Sequence, residues 1–135
     1  MENYLVDNDI RVLCVTATSF PDGIQEAFNK IHSLIPDAAR RTTYGISYGS
    51  PDGSIIYKAG MEASQPGEAE QFGCEEYIIK KGKYIGRVVN WKKNVAQIGE
   101  TFQTLLADPL IDRTGACIEE YINDDEVKCM VRLKD

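Results

Sequence analysis

The sequence predicts an α+β fold in which duplicated β-α-β-β units form a curved antiparallel sheet with two helices on one face. Two observations predict this class. Each half of the chain carries one apolar stripe at helical spacing. Each stripe follows one strand pattern and precedes two more that a turn separates. A chain of 135 residues is long enough for one domain with a core and too short for two, so we expect residues 1–135 to form a single domain.

The first half begins with a strand rich in Val and Thr, after which Phe20-Pro21-Asp22-Gly23 turns the chain into a helix. Apolar residues at helical spacing predict this helix, and Pro36 ends it. The polar segment Ser64–Gly73 contains Pro and Gly, and we predict a loop there. The predicted elements are the strand Ile10–Thr18, the helix Gly23–Leu34, and the strands Thr42–Tyr48 and Ser54–Ala63.

The second half contains the segments Glu75–Lys80 and Lys83–Asn90, which are either two strands joined at Lys81-Gly82 or one strand with a kink there. A helical stripe then predicts a second helix over Trp91–Ala107, and Asp108-Pro109 stops it. After a predicted loop, the chain closes with a hairpin. Its strands are predicted at Cys117–Ile122 and Val127–Leu133.

The closing hairpin decides which side of the sheet carries Glu119. Side chains alternate along a strand, so Glu119 and Tyr121 share one side and Ile118 lies on the other. A two-residue loop at Asp124-Asp125 places Glu119 opposite Met130, away from the apolar side of the last strand. A three-residue loop reverses this, because a slip of one residue moves every side chain across. We prefer the two-residue loop because it leaves fewer charges in the core.

In that register, Glu119 and Tyr121 lie on the side away from the helices, and antiparallel sheets can leave one side open to water. Superposing the two halves of the chain places Tyr44, Ile46 and Tyr48 on the same side. Aromatic side chains that line a concave sheet around one carboxylate predict a pocket for a small molecule.

Bulk properties exclude several classes of function. The net charge of −6 and the pI of about 4.8 argue against nucleic-acid binding, which requires a basic surface. We expect a cytoplasmic protein, because no segment is long and apolar enough to span a membrane and Met1–Asp9 lacks the regions of a signal peptide. The four cysteines lack metal-ligand spacing and predict reduced thiols, with Cys117 and Cys129 on opposite faces.

No cofactor or metal is expected. The acidic turn Asp124-Asp125-Glu126 lacks the spaced oxygen ligands of a calcium loop. No Ser or Cys nucleophile is placed beside His32, which we interpret as a residue on the flank of the first helix.

Three segments resemble the gyrase-inhibitor-like (GyrI-like) effector-binding domains, found alone and at the C-termini of AraC-type and MerR-type drug-responsive regulators. The segment from Tyr44-Gly45-Ile46 to Tyr57-Lys58-Ala59-Gly60-Met61-Glu62 resembles the family's YG…Y-x-AG-h-E hairpin. Lys81-Gly82-Lys83-Tyr84 is similar to its AGKY strand entry, and Ile118-Glu119-Glu120-Tyr121-Ile122-Asn123-Asp124 to its FE-x-Y-L-N-D signature. The resemblance implies the same duplicated β-α-β-β fold. The chain departs from the family at Asn90-Trp91-Lys92-Lys93, in place of the usual G-x-Y, and at Glu120, where an apolar residue is common.

The resemblance selects Glu119 over Glu120 as the pocket carboxylate, which in the family lies among aromatic side chains and meets cationic lipophilic compounds. The alternative is an ordinary ion pair of Glu119 with Lys128 or Arg132 on the neighbouring strand. The tyrosines can equally serve core packing, Met61 is more often a core residue, and Trp91 either covers the pocket or packs under the helix. The candidate ligand-binding residues are Glu119, Tyr121, Tyr44, Tyr48, Tyr57, Met61 and Trp91.

The resemblance implies a stand-alone domain that binds an aromatic or cationic small molecule, as a transcription-regulator-like sensor or a sequestering protein. Without a preceding helix-turn-helix, this chain is not expected to bind DNA directly, and no membrane contact is expected. Two alternatives stay open: a hydrolase that uses Glu119 to open strained electrophilic natural products, and a protein inhibitor of the gyrase type. We prefer binding over catalysis, because the sequence shows no Ser-His-Asp or Cys-His set and no second acid.

Overall fold

The computed structural model describes residues 1–135, which form eight β-strands and three α-helices. The strands within each unit described below pair antiparallel, which confirms the predicted α+β class. No helix has both the length and the apolar character needed to span a membrane. In chain order, the elements are β1 (Glu2–Val6), β2 (Ile10–Thr16), α1 (Ile24–Leu34), β3 (Thr43–Gly49), β4 (Ile55–Glu62), α2 (Glu68–Phe72), β5 (Glu75–Ile79), β6 (Gly82–Asn90), α3 (Ala96–Leu106), β7 (Cys117–Tyr121) and β8 (Glu126–Arg132).

The first compact unit, called here the 9–79 unit, comprises Asp9–Ile79. Its four strands lie in the order β3-β4-β2-β5, and α1 packs on one side of them. The apolar stripe predicted for α1 is confirmed, because Ala27 and Ile31 are buried against β2 and β4. The core of the unit consists of Leu13, Val15, Ala27, Ile31, Ile35, Ala38, Tyr57, Ala59 and Met61.

The second compact unit, called here the terminal unit, combines Met1–Asn8 with Lys80–Asp135. Its strands lie in the order β1-β6-β8-β7, and α3 packs on one side of them. The core of this unit consists of Val89, Phe102, Leu105, Ile111, Val127, Cys129 and Val131.

The duplication predicted from the sequence is confirmed by the strand order. The order β3-β4-β2 in one unit corresponds to β7-β8-β6 in the other. Each unit also has a fourth strand, and in the chain this strand comes just before the β-α-β-β segment of the other unit. β1 precedes β2 but pairs with β6, and β5 precedes β6 but pairs with β2. The segments on either side of Lys81 are therefore two separate strands. The sequence does not predict β1, because this five-residue strand is mostly exposed and its apolar pattern is weak.

The segment Ser64–Gly73 is not a plain loop, as predicted, because it contains α2. Gly67 and Gly73 flank this helix with φ of 85° and 70°, a left-handed conformation that glycine adopts without steric cost. Glu68 opens the helix and is buried against Arg41, whose guanidinium donates two hydrogen bonds of 2.9 Å to the carboxylate. A helix of five residues is too short for its apolar spacing to be recognised in the sequence.

The helix α3 begins at Ala96, five residues later than the predicted start at Trp91. Asn90 Oδ1 accepts a 3.1 Å hydrogen bond from the backbone N–H of Lys93, and Asn94 Oδ1 accepts one of 3.1 Å from Ala96. Such bonds between side chain and backbone stabilise turns in competition with a helix. The predicted helix is therefore shortened at its N-terminal end.

The sheet sides away from α1 and α3 are not the open surfaces that the sequence analysis expected. In the 9–79 unit, Tyr44 and Ile46 lie on that side with exposures of 2% and 0%. In the terminal unit, Ile118 and Met130 lie on that side with exposures of 2% and 1%. Both sides of each sheet therefore carry buried apolar residues.

Candidate functional site

The hairpin between β7 and β8 has a three-residue loop, so the preferred two-residue loop is wrong. The backbone N–H of Ile122 donates to the carbonyl of Glu126 at 3.0 Å, which leaves residues 123–125 as the loop. Within it, Asn123 Oδ1 accepts hydrogen bonds from the backbone N–H groups of Asp125 (2.8 Å) and Glu126 (2.9 Å). These hydrogen bonds stabilise the three-residue turn, and the turn sets the register of the two strands. The preference for a two-residue loop rested on the number of charges in the core, which does not depend on the hydrogen bonds of Asn123.

The observed register moves Glu119 and Tyr121 to the side of the sheet that faces α3. Glu119 lies opposite Cys129 and Tyr121 opposite Val127, both of which belong to the terminal core. Cys117 alternates with Glu119, so it shares this side with Cys129, contrary to the prediction of opposite faces. All four cysteines are free thiols. Burial, followed by the nearby Glu119 carboxylate, raises the pKa of the Cys129 thiol to about 12.

Glu119 is a buried carboxylate with an exposure of 6%. The hydroxyl of Tyr121 donates a 2.7 Å hydrogen bond to Glu119 Oε1. The two basic residues that the sequence offered as ion-pair partners bind other carboxylates. Lys128 Nζ lies 3.9 Å from Glu120, and the guanidinium of Arg132 contacts Asp112 at 3.4 Å and Asp135 at 3.1 Å.

Trp91 contacts Tyr121 from the end of β6. Its backbone N–H donates to the carbonyl of Asp125 at 3.0 Å, which ties it to the turn between β7 and β8. The indole ring stands edge-on to the Tyr121 ring, with the centroids 6.0 Å apart and the planes at 83°. The indole Nε1 is buried and has no hydrogen-bond partner. Trp91, Tyr121 and Glu119 therefore form one contiguous group, called here the Glu119 cluster.

The other four candidate residues lie in the 9–79 unit, on two different sides of its sheet. Tyr57 and Met61 face α1 and belong to the core. The Tyr57 ring also contacts Phe20 and Phe28, at centroid distances of 6.0 Å and 6.1 Å. Tyr44 and Tyr48 lie on the side away from α1, where Tyr48 stacks on Tyr77 with centroids 6.2 Å apart. The predicted common side of Tyr44, Tyr48, Glu119 and Tyr121 away from the helices is wrong, because the register places Glu119 and Tyr121 toward α3.

A polar cluster that the sequence does not predict lies on the same side of the sheet as the Tyr48–Tyr77 stack. Lys58 Nζ lies 2.7 Å from Glu75 Oε1 and donates to Thr16 Oγ1 at 2.8 Å. The backbone N–H of Thr16 also donates to the Glu75 carboxylate at 3.0 Å. Glu75 and Tyr77 are two residues apart in β5, so the sequence places their side chains on the same side of the strand. Their neighbours on β2 follow only from the pairing of the two strands.

A groove with a volume of about 360 Å³ runs between β6 and α3 in the terminal unit. Its lining is mainly polar and includes Arg87, Glu100 and Thr101, but no residue of the Glu119 cluster. No group of three or more His, Cys, Asp or Glu side chains is arranged to hold a metal ion. The chemistry that the Glu119 cluster can perform is therefore that of one buried carboxylate, one phenol and one indole.

No protein-family model matches the chain, and no curated protein matches its sequence. Solved structures do match its fold. The integron cassette protein VCH_CASS2 from the mobile metagenome of Vibrio cholerae has a TM-score of 0.69 and 13% identity, covering 98% of this chain and 95% of that chain. SAV2435 bound to tetraphenylphosphonium has a TM-score of 0.65 and 11% identity, covering 99% of this chain and 94% of that chain.

A hydrolase from Listeria innocua has a TM-score of 0.56 and 10% identity, covering 98% of this chain and 90% of that chain. The TM-scores show that these proteins share a fold with the chain, and at identities this low the likeness shows the fold alone.

Proposed function

We propose that this chain is a small-molecule-binding domain in which Glu119 provides the counter-charge for a lipophilic cation. The observation that carries the proposal is the burial of the Glu119 carboxylate on the core side of the terminal unit, with the Tyr121 hydroxyl donating to it and the Trp91 ring against Tyr121. A carboxylate removed from water is stabilised by an opposite charge. A cationic ligand that reaches the cluster would add such a charge beside Glu119.

The aromatic neighbours of Glu119 suit the same ligand. The rings of Tyr121 and Trp91 contact each other, and cations are attracted to the faces of such rings. SAV2435, which shares the fold, was solved with tetraphenylphosphonium, a lipophilic cation. A domain that binds such a cation without chemistry acts as a sensor or as a sequestering protein. Tyr44, Tyr48, Tyr57 and Met61 lie in the 9–79 unit, where a part in ligand binding stays a prediction for each, and Tyr57 and Met61 also belong to the core of that unit.

The test compares two ions of the same shape and opposite charge, tetraphenylphosphonium and tetraphenylborate, by isothermal titration calorimetry. We expect the wild type to bind the cation and to reject the anion. Glu119→Gln keeps the shape and removes the charge, and it should weaken cation binding by about 1–3 kcal/mol, or roughly 5–150-fold in Kd. The control is Glu120→Gln, because Glu120 pairs with Lys128 on the other side of the sheet.

Equal binding of the cation by wild type and Glu119→Gln would remove the site from Glu119. A similar loss of cation affinity in Glu120→Gln would show that the affinity depends on the net charge of the protein and not on the position of Glu119. Preference for the borate would overturn the proposed charge of the ligand.

A hydrolase is the second candidate, and the hydrogen bond between Tyr121 and Glu119 favours it specifically. A phenol and a carboxylate in contact form a proton donor and a proton acceptor, which general acid–base catalysis requires. A hydrolase from Listeria innocua also shares the fold. Incubation with a strained epoxide or cyclopropane, followed by mass spectrometry, distinguishes the candidates. Turnover by the wild type that Glu119→Gln abolishes, with binding retained, would establish the hydrolase.

A further inference from the structure

We infer that the cation bound at Glu119 also carries a hydrogen-bond acceptor, such as a carbonyl oxygen, which accepts from the indole N–H of Trp91. This inference rests on the proposed function, and it narrows the ligand from any lipophilic cation to one with two defined groups. The observation behind it is the Trp91 Nε1 atom, which is buried and has no hydrogen-bond partner in the chain.

Buried donors in folded proteins are almost always paired, because a donor withdrawn from water loses its hydrogen bond to the solvent. An unpaired buried N–H therefore indicates either a local cost to stability or a partner that arrives from outside the chain. The indole has only this one donor and no acceptor, so its partner must supply an acceptor atom.

The position of the indole is fixed by its surroundings. The backbone of Trp91 is bound to Asp125, and its ring is held edge-on against Tyr121. The Tyr121 hydroxyl is engaged with Glu119 at 2.7 Å. Trp91 is therefore the member of the cluster whose donor has no acceptor, and the Tyr121 ring links it to the carboxylate that the proposed cation would contact.

A ligand that contacts Glu119 and Trp91 together needs a positive charge at one point and an acceptor at another. A tetra-aryl cation satisfies the first requirement and leaves the indole N–H unpaired. A site built to hydrogen-bond a ligand group discriminates against an analogue that lacks the group, because the site's own polar atom stays unpaired. Cations with a ketone, an ester or an amide in a side chain are the class that fits.

The test uses alkyltriphenylphosphonium ions whose alkyl chain carries a ketone, in a series of chain lengths. Each is compared with the ion that has a methylene in place of the carbonyl. The ketone is the less hydrophobic member of each pair, so burial alone favours the methylene ion. We expect the best ketone to bind wild type about fivefold or more tighter than its methylene partner, as one buried hydrogen bond predicts.

Trp91→Phe removes the donor and keeps an aromatic ring against Tyr121. In this variant the preference should reverse, with the methylene ion binding at least as tightly as the ketone. Circular dichroism checks that the variant is folded, and if it is not, the ketone–methylene comparison on wild type decides alone. A crystal structure of the wild-type complex should place the ketone oxygen within hydrogen-bond distance of Nε1.

The inference is overturned if the methylene ion binds wild type as tightly as every ketone, or if Trp91→Phe keeps the ketone preference. A structure in which an ordered water occupies Nε1 while the ketone points elsewhere also overturns it. Failure of the proposed function gives a different result: neither member of a pair would then lose affinity in Glu119→Gln.

Discussion

The hydroxyl of Tyr121 donates a 2.7 Å hydrogen bond to Glu119 Oε1, and the two residues point to the same side of β7. The carboxylate is thereby held in place by a residue of its own strand. A rigidly held carboxylate pays little ordering entropy when a cation binds to it. Because this hydroxyl donates to a buried carboxylate, its removal should also lower the free energy of unfolding.

We expect Tyr121→Phe to lower the free energy of unfolding by about 1–3 kcal/mol at neutral pH, because a buried carboxylate loses a donor. The phenylalanine ring can still pack against Trp91, so the change isolates the hydroxyl. Urea denaturation provides the measurement. Tyr48→Phe is the control, since Tyr48 contacts Tyr77 through its ring, and it should change stability by less than about 0.5 kcal/mol. Equal effects of the two substitutions would contradict the role assigned to the Tyr121 hydroxyl.

The buried pair of Arg41 and Glu68 should make the domain sensitive to acid. The hydrogen bonds from Arg41 lower the pKa of Glu68 from an ordinary 4.5 to about 2. Because the pKa is lower in the folded state, the ionised carboxylate contributes stability above pH 4.5, and this contribution is lost as the pH falls through about 2. Urea titrations between these values should show stability falling with pH in the wild type.

Glu68→Gln should flatten this dependence and lower stability at pH 7 by about 1–3 kcal/mol. Asp37→Asn is the matched control. Asp37 binds the same guanidinium at 2.8 Å, but its side chain is 46% exposed, so its ion pair should contribute less than about 1 kcal/mol. An unchanged acid slope in Glu68→Gln would assign the sensitivity to other carboxylates.

Two glycines of the terminal unit should respond to alanine in opposite directions. A Cβ on Gly86, in β6, would overlap the carbonyl oxygen of Cys129 on the paired strand, so Gly86→Ala should lower stability by about 1–3 kcal/mol. A Cβ on Gly99, in α3, meets nothing within 4 Å, and Gly99→Ala should raise stability by about 0.5–1 kcal/mol. Thermal unfolding of the two variants gives the signs, and a gain in Gly86→Ala would refute the close approach of β6 and β8.

Most element types, though not the short β1 and α2, were predictable from the sequence because their signals are local. The apolar spacing of α1 and the Gly-rich turn before β4 lie within a few residues of the elements they define. The side of the sheet that Glu119 faces was not predictable, because one hydrogen-bonding side chain, Asn123, lengthens the turn by one residue. The predicted register rested on the number of charges on each side of the sheet, but the actual register is set by the length of the turn.

The candidate site was predictable in part. Glu119 and Tyr121 were selected together, and the structure joins them in one hydrogen bond. The sequence left Trp91 with two interpretations, because its neighbours are Tyr121 in β7 and Asp125 in the turn after it, 30 and 34 residues away in the chain. Long-range pairing also hid the ion pair of Lys58 with Glu75.

The pairing of β1 with β6 has a consequence for the order in which the chain is completed during synthesis. Glu2 leaves the ribosome before its partner Gly86, which follows 84 residues later, as the difference between their positions gives. At roughly 5–20 residues per second, β1 waits about 4–17 s without a partner, whereas every strand of the 9–79 unit is by then available. The 9–79 unit can therefore form first, and β1, although synthesised before that unit, pairs with its neighbouring strand after it.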